Sequence, residues 1–339
     1  MPFEYTIAQQ GDMEVSAEGQ RMKIAFASLV GVEPMPFPTL LERAKAVGLD
    51  AIEVNVGPTF PRIAEALYPG HLDLDAILRD GPGQTHERLA AHGMTITSLA
   101  PMLNLLTPDP TRREEQINAF RQTVDVCATL GVPTVVTYGG SAFGMHFSGL
   151  PGVGPDHPSN HRLENVAIFT EVFTPLAQYA EAKGVRIAFE TAARGGGEGN
   201  IAHSPDLWDL LFDAVPSPAL GLSFDPSHLV WLQIPNIPDL IRQYGSRIYH
   251  FDAKDTEILP AVLARQGILG SGWWRYRLPG LGALDWRGIL SALGDIGYDD
   301  VISIENEDPL FLGLDSVAWS ADYLRSIFPL SHAGDNTTG

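Results

Sequence analysis

Glu190, Asp225, His250 and Glu305 are the residues best placed to do chemistry. Each belongs to a short apolar run: VRIAFE ends in Glu190, LGLSFD ends in Asp225, IYHFD carries His250 and Asp252, and VISIE ends in Glu305. A charged side chain at such a position is unusual unless it is paired or coordinated. Three carboxylates and one imidazole make a hard, oxygen-rich donor set. Such a set suits Mn²⁺ first, with Co²⁺ or Mg²⁺ as alternatives, better than a structural zinc, which favours thiolates. For any single acid, capping a helix or pairing with an arginine explains it equally well. Four such groups on successive runs point to one shared metal.

Further polar groups cluster around these four. His228 stands three residues after Asp225 in Asp225-Pro226-Ser227-His228, as an outer-shell donor, a hydroxyl contact or a ligand. Asp252 shares a strand face with His250 if that strand is regular, where it can orient a histidine or a water. Lys254 and Asp255 continue the polar rim, with a solvated charge pair as the rival explanation. Tyr138 and Glu53 read as pocket walls, while His146 favours no role and His203 reads as a loop histidine. The run Arg194-Gly195-Gly196-Gly197-Glu198-Gly199-Asn200 is no phosphate loop, because it lacks the Lys-Ser/Thr ending.

The elements that must position these groups repeat as a strand followed by a helix. Strands are predicted at Lys23–Ser28, Ala51–Val56, Met94–Leu99, Thr134–Tyr138, Val185–Glu190, Leu220–Asp225, Ile248–Asp252 and Val301–Glu305. Amphipathic helices separate them, with Gly48, Gly131 and Ser204 as stop or start signals. Asp285 reads as the cap of the helix that follows. Eight such units predict an α/β fold, a (β/α)8 TIM barrel whose strand ends carry the active site. The expected layout is an N-terminal extension over residues 1–22, one catalytic domain over 23–328 and a flexible tail over 329–339. An insert at residues 256–284, rich in glycine and aromatics, follows the seventh strand. Its Trp273, Trp274, Arg275, Tyr276 and Arg277 suit either sugar stacking and hydroxyl gripping or a subunit interface.

Composition narrows the partners. With 22 basic against 41 acidic residues, the net charge is -19. So acidic a surface repels phosphate backbones and anionic membranes, which argues against nucleic acid and membrane partners. The single cysteine, Cys127, cannot form an internal disulfide and reads as a buried thiol. No stretch is apolar enough to span a bilayer, and residues 1–20 carry acids without a basic residue, unlike a secretory signal. A cytoplasmic enzyme is the default expectation.

The motifs also resemble a known family. Phe189-Glu190, Phe224-Asp225-Pro226-Ser227-His228, His250-Phe251-Asp252-Ala253-Lys254-Asp255 and Ser303-Ile304-Glu305 are similar to the metal motifs of the xylose isomerase-like superfamily of sugar isomerases and epimerases. Pro279-Gly280-Leu281-Gly282-Ala283-Leu284-Asp285-Trp286 matches its Pro-Gly-x-Gly-x-x-Asp segment. The resemblance implies a metal held by Glu190, Asp225, His250 and Glu305, with His228 on a substrate oxygen. Glu190 and Glu305 are the implied catalytic pair that removes and returns a proton. The ketose 3-epimerases also carry a substrate-binding acid in the loop after the first ligand. Here only Glu198 offers itself, at a different spacing.

The reading is therefore a metal-dependent isomerase or epimerase of a keto-sugar. The substrate-binding set is His228, Glu198, Asp252, Arg277, Trp273 and Tyr138. A lyase on 3-oxo-glycosides, resembling the catalytic subunits of carbon-glycoside deglycosidases, would use the same site. A homo-oligomer is expected, with a small partner subunit in the lyase case. A DNA-repair endonuclease of the same barrel type would need more histidine ligands and a basic cleft, which the charge balance opposes.

Overall fold

The computed structural model describes residues 22–28, 31–32, 35–56, 71–143, 161–193 and 199–328. Its strands are β1 (Ile24–Phe26), β2 (Ala51–Asn55), β3 (Thr95–Ala100), β4 (Thr134–Thr137), β5 (Arg186–Glu190), β6 (Leu220–Phe224), β7 (Ile248–Ala253), β8 (Asp255–Ile258), β9 (Trp274–Arg277) and β10 (Ile302–Ile304). All eight predicted strands are present, shortened by a residue or two at most ends. Eight of the ten form one parallel sheet in the order β1-β10-β7-β6-β5-β4-β3-β2. A parallel bridge between Ala27 and Glu53 joins β2 back to β1, so the sheet closes into a barrel. The fold is a single-domain TIM barrel.

The helices are α1 (Phe37–Ala46), α2 (Leu74–Asp80), α3 (Gly83–His92), α4 (Pro110–Leu130), α5 (Arg162–Lys183), α6 (Pro205–Ala214), α7 (Pro226–Trp231), α8 (Ile237–Tyr244), α9 (Pro260–Gln266), α10 (Trp286–Asp295) and α11 (Leu314–Ile327). Local chemistry sets their ends. The Asp109 carboxylate accepts from the backbone N–H of Thr111 and Arg112 to start α4, and Gly131 at φ 71° ends it in the left-handed region that glycine tolerates. Asp285 caps α10 as expected, accepting from the Gly288 N–H. Ser204 occupies the N-cap position of α6 but makes no cap bond. Its hydroxyl turns instead to the Asp206 carboxylate, 2.6 Å away.

Helix faces pack on the strands through large aromatics. Phe169, Phe173 and Phe189 are fully buried, with Phe173 meeting Phe189 edge-on at 5.0 Å between ring centres. Cys127, on the buried face of α4, is inaccessible, as expected of a structural thiol, and burial pushes its pKa up.

The segment after β7 is an antiparallel hairpin. β8 pairs with β9, Asp255 opposite Arg277 and Ile258 opposite Trp274, with α9 in the connection. Asp255 anchors the hairpin. Its carboxylate accepts from the N–H groups of Thr256, Gly280, Gly282 and Leu284 and from the Trp286 indole. Gly282 sits so close that an added Cβ would fall 2.2 Å from the Asp255 oxygen. The Pro-Gly-x-Gly-x-x-Asp segment thus wraps one buried carboxylate. Lys254 and Asp255 are not the solvated pair weighed from sequence, since both are buried.

Candidate active site

Strands five to eight of the barrel deliver their acids to one end, because side chains alternate across a strand and the apolar residues between them face the helices. β5 ends in Glu190, and Asp225 directly follows β6. Asp225 also starts α7, its carboxylate accepting from the Ser227 N–H at 2.8 Å. That turn brings His228 back over the carboxylates. His228 Nε2 lies 3.1 Å from Asp225 Oδ2 and 3.5 Å from Glu190 Oε1. Its Nδ1 shares a 3.0 Å hydrogen bond with the Tyr276 hydroxyl, so the hairpin fixes the ring from above.

Lys254 stands at the middle of the cluster. Its Nζ lies 3.0 Å from Asp225 Oδ2, 2.5 Å from Glu305 Oε2 and 2.7 Å from Glu307 Oε2. The ammonium also sits 4.4 Å from the centre of the Tyr276 ring, a cation–π contact. Lower in the barrel, His250 Nε2 lies 2.7 Å from Glu53 Oε2 and 3.4 Å from Asp252 Oδ1. Ser98 donates to Glu53 at 2.7 Å and Ser223 to Asp252 at 2.6 Å. These hydroxyls fix both carboxylates on either side of the imidazole.

The electrostatics follow from burial and crowding. Burial pushes Glu190 well above the usual carboxylate range, and the charges of Asp252, Asp225 and Glu305 push it further. Glu305 is raised by burial and by Glu307, Asp225 and Asp252, against the pull of Lys254. It keeps 21 % of its side chain exposed, toward the mouth. Burial opposes ionisation of Asp225 too, but Lys254 and His228 outweigh it and hold the group low. Burial would lower His250, yet Asp252 and Glu53 raise it well above the usual imidazole value. Tyr138 is buried and raised, first by burial and then by Glu190 and Glu305.

The sequence-derived set is thus brought together in part. Glu190, Asp225, Glu305 and His228 share one cluster. His250 lies below, bound up with Glu53 and Asp252, and the two groups able to hold a metal among the described residues divide accordingly: Glu190 with Asp225 and His228, and Glu53 with His250 and Asp252. Tyr138 is close enough to feel the acids. Arg277 is held between Glu257 at 2.6 Å and Asp308 at 2.8 Å, so its guanidinium braces the hairpin. Trp273 is buried against Ala193 and Trp231. Its neighbour Trp274 stacks on Trp231 at 4.7 Å with rings 2° from parallel. Glu198 and His146 lie outside the described residues. From sequence, Lys254 stands on the polar rim but not at the centre of the acids, and Glu307 and the contact between Glu53 and His250 are missed. Glu53 carried the available signal, a charge inside the apolar run AIEVNV.

The donor set fits a hard divalent cation. Glu190 Oε1 is buried with no hydrogen-bond partner among the described residues, an expensive state unless something completes its coordination, while Asp225 Oδ2 and His250 Nε2 have the ion-pair contacts given above.

Known proteins of this shape agree in kind. An inosose isomerase of Bacillus velezensis is 28 % identical over 285 residues, covering 84 % of this chain and 88 % of that one. The crystal structure of IOLI protein with a bound zinc atom superposes with a TM-score of 0.65 at 22 % identity, covering 91 % of this chain and 98 % of that one. A 3-keto-D-glucoside 4-epimerase of E. coli superposes with a TM-score of 0.65 at 14 % identity, covering 90 % and 100 %. The profile of one family matches residues 41–327. With nearly the whole barrel inside that match, the chain belongs to the xylose isomerase-like TIM barrel family.

Proposed function

We propose that the chain is a divalent-metal-dependent isomerase or epimerase that moves a proton on the carbon beside a sugar carbonyl. One observation carries this reading: Glu190 and Glu305, from non-adjacent strands, flank a carboxylate cluster in which Glu190 Oε1 has no hydrogen-bond partner among the described residues and Asp225 Oδ2 meets Lys254 and His228. Glu190, Asp225 and Glu305, with a residue of β7, would hold the cation, and Mn²⁺ suits the oxygen donors best, with Co²⁺ or Mg²⁺ as alternatives. A cation bound there polarises the carbonyl and an adjacent hydroxyl and so acidifies the C–H between them.

The chain's own groups do the rest. Glu190 and Glu305 are both held above the usual carboxylate range. Like charges so close favour one ionised and one protonated partner. The ionised one takes the proton, and the protonated one gives one back from the other side, which epimerises the carbon. His228, held by Tyr276, would bind a substrate oxygen. The aromatic hairpin presents Trp274 and Tyr276 as a stacking wall for the sugar. The substrate class is a keto-sugar or close relative, and the printed activities of the inosose isomerase and the 3-keto-D-glucoside 4-epimerase support that class. We place the enzyme in the cytoplasm as a homo-oligomer.

The hairpin favours one second reading. A wall that size suits a bulkier 3-oxo-glycoside, from which the same proton removal would expel the aglycone, a reaction that a small partner subunit would accompany. Incubation of the Mn²⁺-loaded protein with free ketoses and with 3-oxo-glycosides in D₂O, followed by NMR, separates the two. Deuterium entering beside the carbonyl with interconversion of epimers is expected. Aglycone release without interconversion would sink the epimerase, and absence of both would sink the proton-transfer reading altogether.

A further inference from the structure

The strand that supplies the fourth ligand offers two candidates. His250, Asp252 and Lys254 alternate along β7 and all face the barrel interior, each about 7 Å beyond the last. Glu190 is in register with Ser223 and so with His250, Asp225 with Asp252, and Glu305 with Lys254, so Asp252 stands at the middle of the rising acids.

We propose that Asp252, and not His250, is the ligand that β7 gives the cation, making the first shell four carboxylates: Glu190, Asp225, Asp252 and Glu305. This rests on the proposed metal dependence. The register carries it. Ser223 pairs with His250 and Phe224 with Phe251, so Asp225, the next residue, comes level with Asp252, one pleat above His250. On the other side Ser303 pairs with Asp252, which puts Glu305 just above it. The contacts agree. The His250 imidazole points across the barrel to Glu53 on β2, 2.7 Å away, and Ser98 on β3 holds that carboxylate from behind. Asp252 keeps one oxygen on the Ser223 hydroxyl at 2.6 Å and its other oxygen 3.4 Å from His250 Nε2.

The second observation is independent of the register. Glu190 Oε1 is buried with no hydrogen-bond partner among the described residues, and Glu190 and Asp225 are only 5 % and 0 % exposed. Beyond burial itself, Asp252 lies near enough that its charge is the first among those that raise Glu190. His250 then becomes a positioning residue. It holds Asp252 from below as an outer-shell imidazole holds a ligand, and Glu53 in turn orients it. Four carboxylates, with Lys254 balancing part of their charge, favour Mn²⁺ or Mg²⁺ over zinc more strongly than a set with an imidazole.

The test uses the full chain and Mn²⁺ alone. Isothermal titration of wild type, Asp252→Asn and His250→Gln gives the affinities, with circular dichroism confirming the fold. Asp252→Asn is expected to weaken Mn²⁺ binding beyond the ~10–100-fold that loss of an outer-shell partner costs, and His250→Gln to stay within that range. Electron spin-echo spectra of the Mn²⁺ protein then report directly on bound nitrogen. A spectrum unchanged by His250→Gln supports the assignment. A ligand-strength nitrogen coupling that vanishes in His250→Gln and survives in His228→Gln overturns it while leaving the metal reading intact. A wild-type chain that binds no Mn²⁺ overturns both.

Discussion

Glu305 is set apart from its neighbours by its company. Lys254 holds one of its oxygens at 2.5 Å while Glu307 shares the same ammonium, so the group can gain or lose a proton without leaving a bare charge behind. Glu305→Gln keeps the shape and removes the proton site. Deuterium exchange into substrate is expected to fall at least ~100-fold, with an unchanged circular dichroism spectrum. Near-normal exchange would count against the proposed role. His203 makes a separate statement about stability. Burial holds it below the ordinary imidazole value, so the folded chain keeps it neutral while the unfolded chain protonates it below about pH 6.5. The unfolded state then binds more protons, and the contribution present above that pH is lost as pH falls through it. Comparing urea midpoints at about pH 7.5 and 5.5, the drop should be smaller for His203→Gln than for wild type. At this scale the sequence showed which groups are chemical but not which are neighbours. Glu190, Asp225 and Glu305 could be read from apolar runs that end in an acid. Lys254 could not, because its burial depends on Tyr276 closing over it from a strand paired through the insert.

Elements are held by fewer groups than their length suggests. The hairpin of β8 and β9 depends on Asp255, whose carboxylate gathers four backbone N–H groups and an indole. Asp255→Ala would leave those donors buried and unpaired. A loss of about 3 kcal/mol or more is expected, read as a fall in Tm of roughly 4 °C or more. A Tm within a degree or so of wild type would show that water replaces the carboxylate. The strand–helix rhythm was legible because each strand is short, apolar and followed by a periodic helix. The hairpin was not, since its strands are joined through α9 rather than by a two-residue turn, and only its aromatic richness stood out. α7 escaped for another reason. Its six residues are too few to show a period, although the Asp-Pro start that makes Asp225 a cap was plain in the sequence.

Across the whole molecule, closure depends on residues far apart in the chain. Arg325 on α11 donates to the Gly48 carbonyl at 3.0 Å and to Asp50 at 2.8 Å, and Asp50 accepts from the Ile24 N–H at 3.0 Å. The last helix thus secures the turn between the first two strands. Arg325→Ala is expected to cost about 1–2 kcal/mol, seen as a lower denaturant midpoint at unchanged slope. The barrel as a class was the most legible level of all, since eight units leave little choice of architecture. The position of β1 between β2 and β10 has a consequence for biosynthesis. Residue 24 must wait for residue 302, an interval on the order of tens of seconds on the ribosome. Throughout that time the nascent sheet keeps an open edge at β1, next to the strand that carries Glu53. Glu305 emerges only after β10 has supplied the missing strand, so the last acid of the cluster reaches the cell together with the seal.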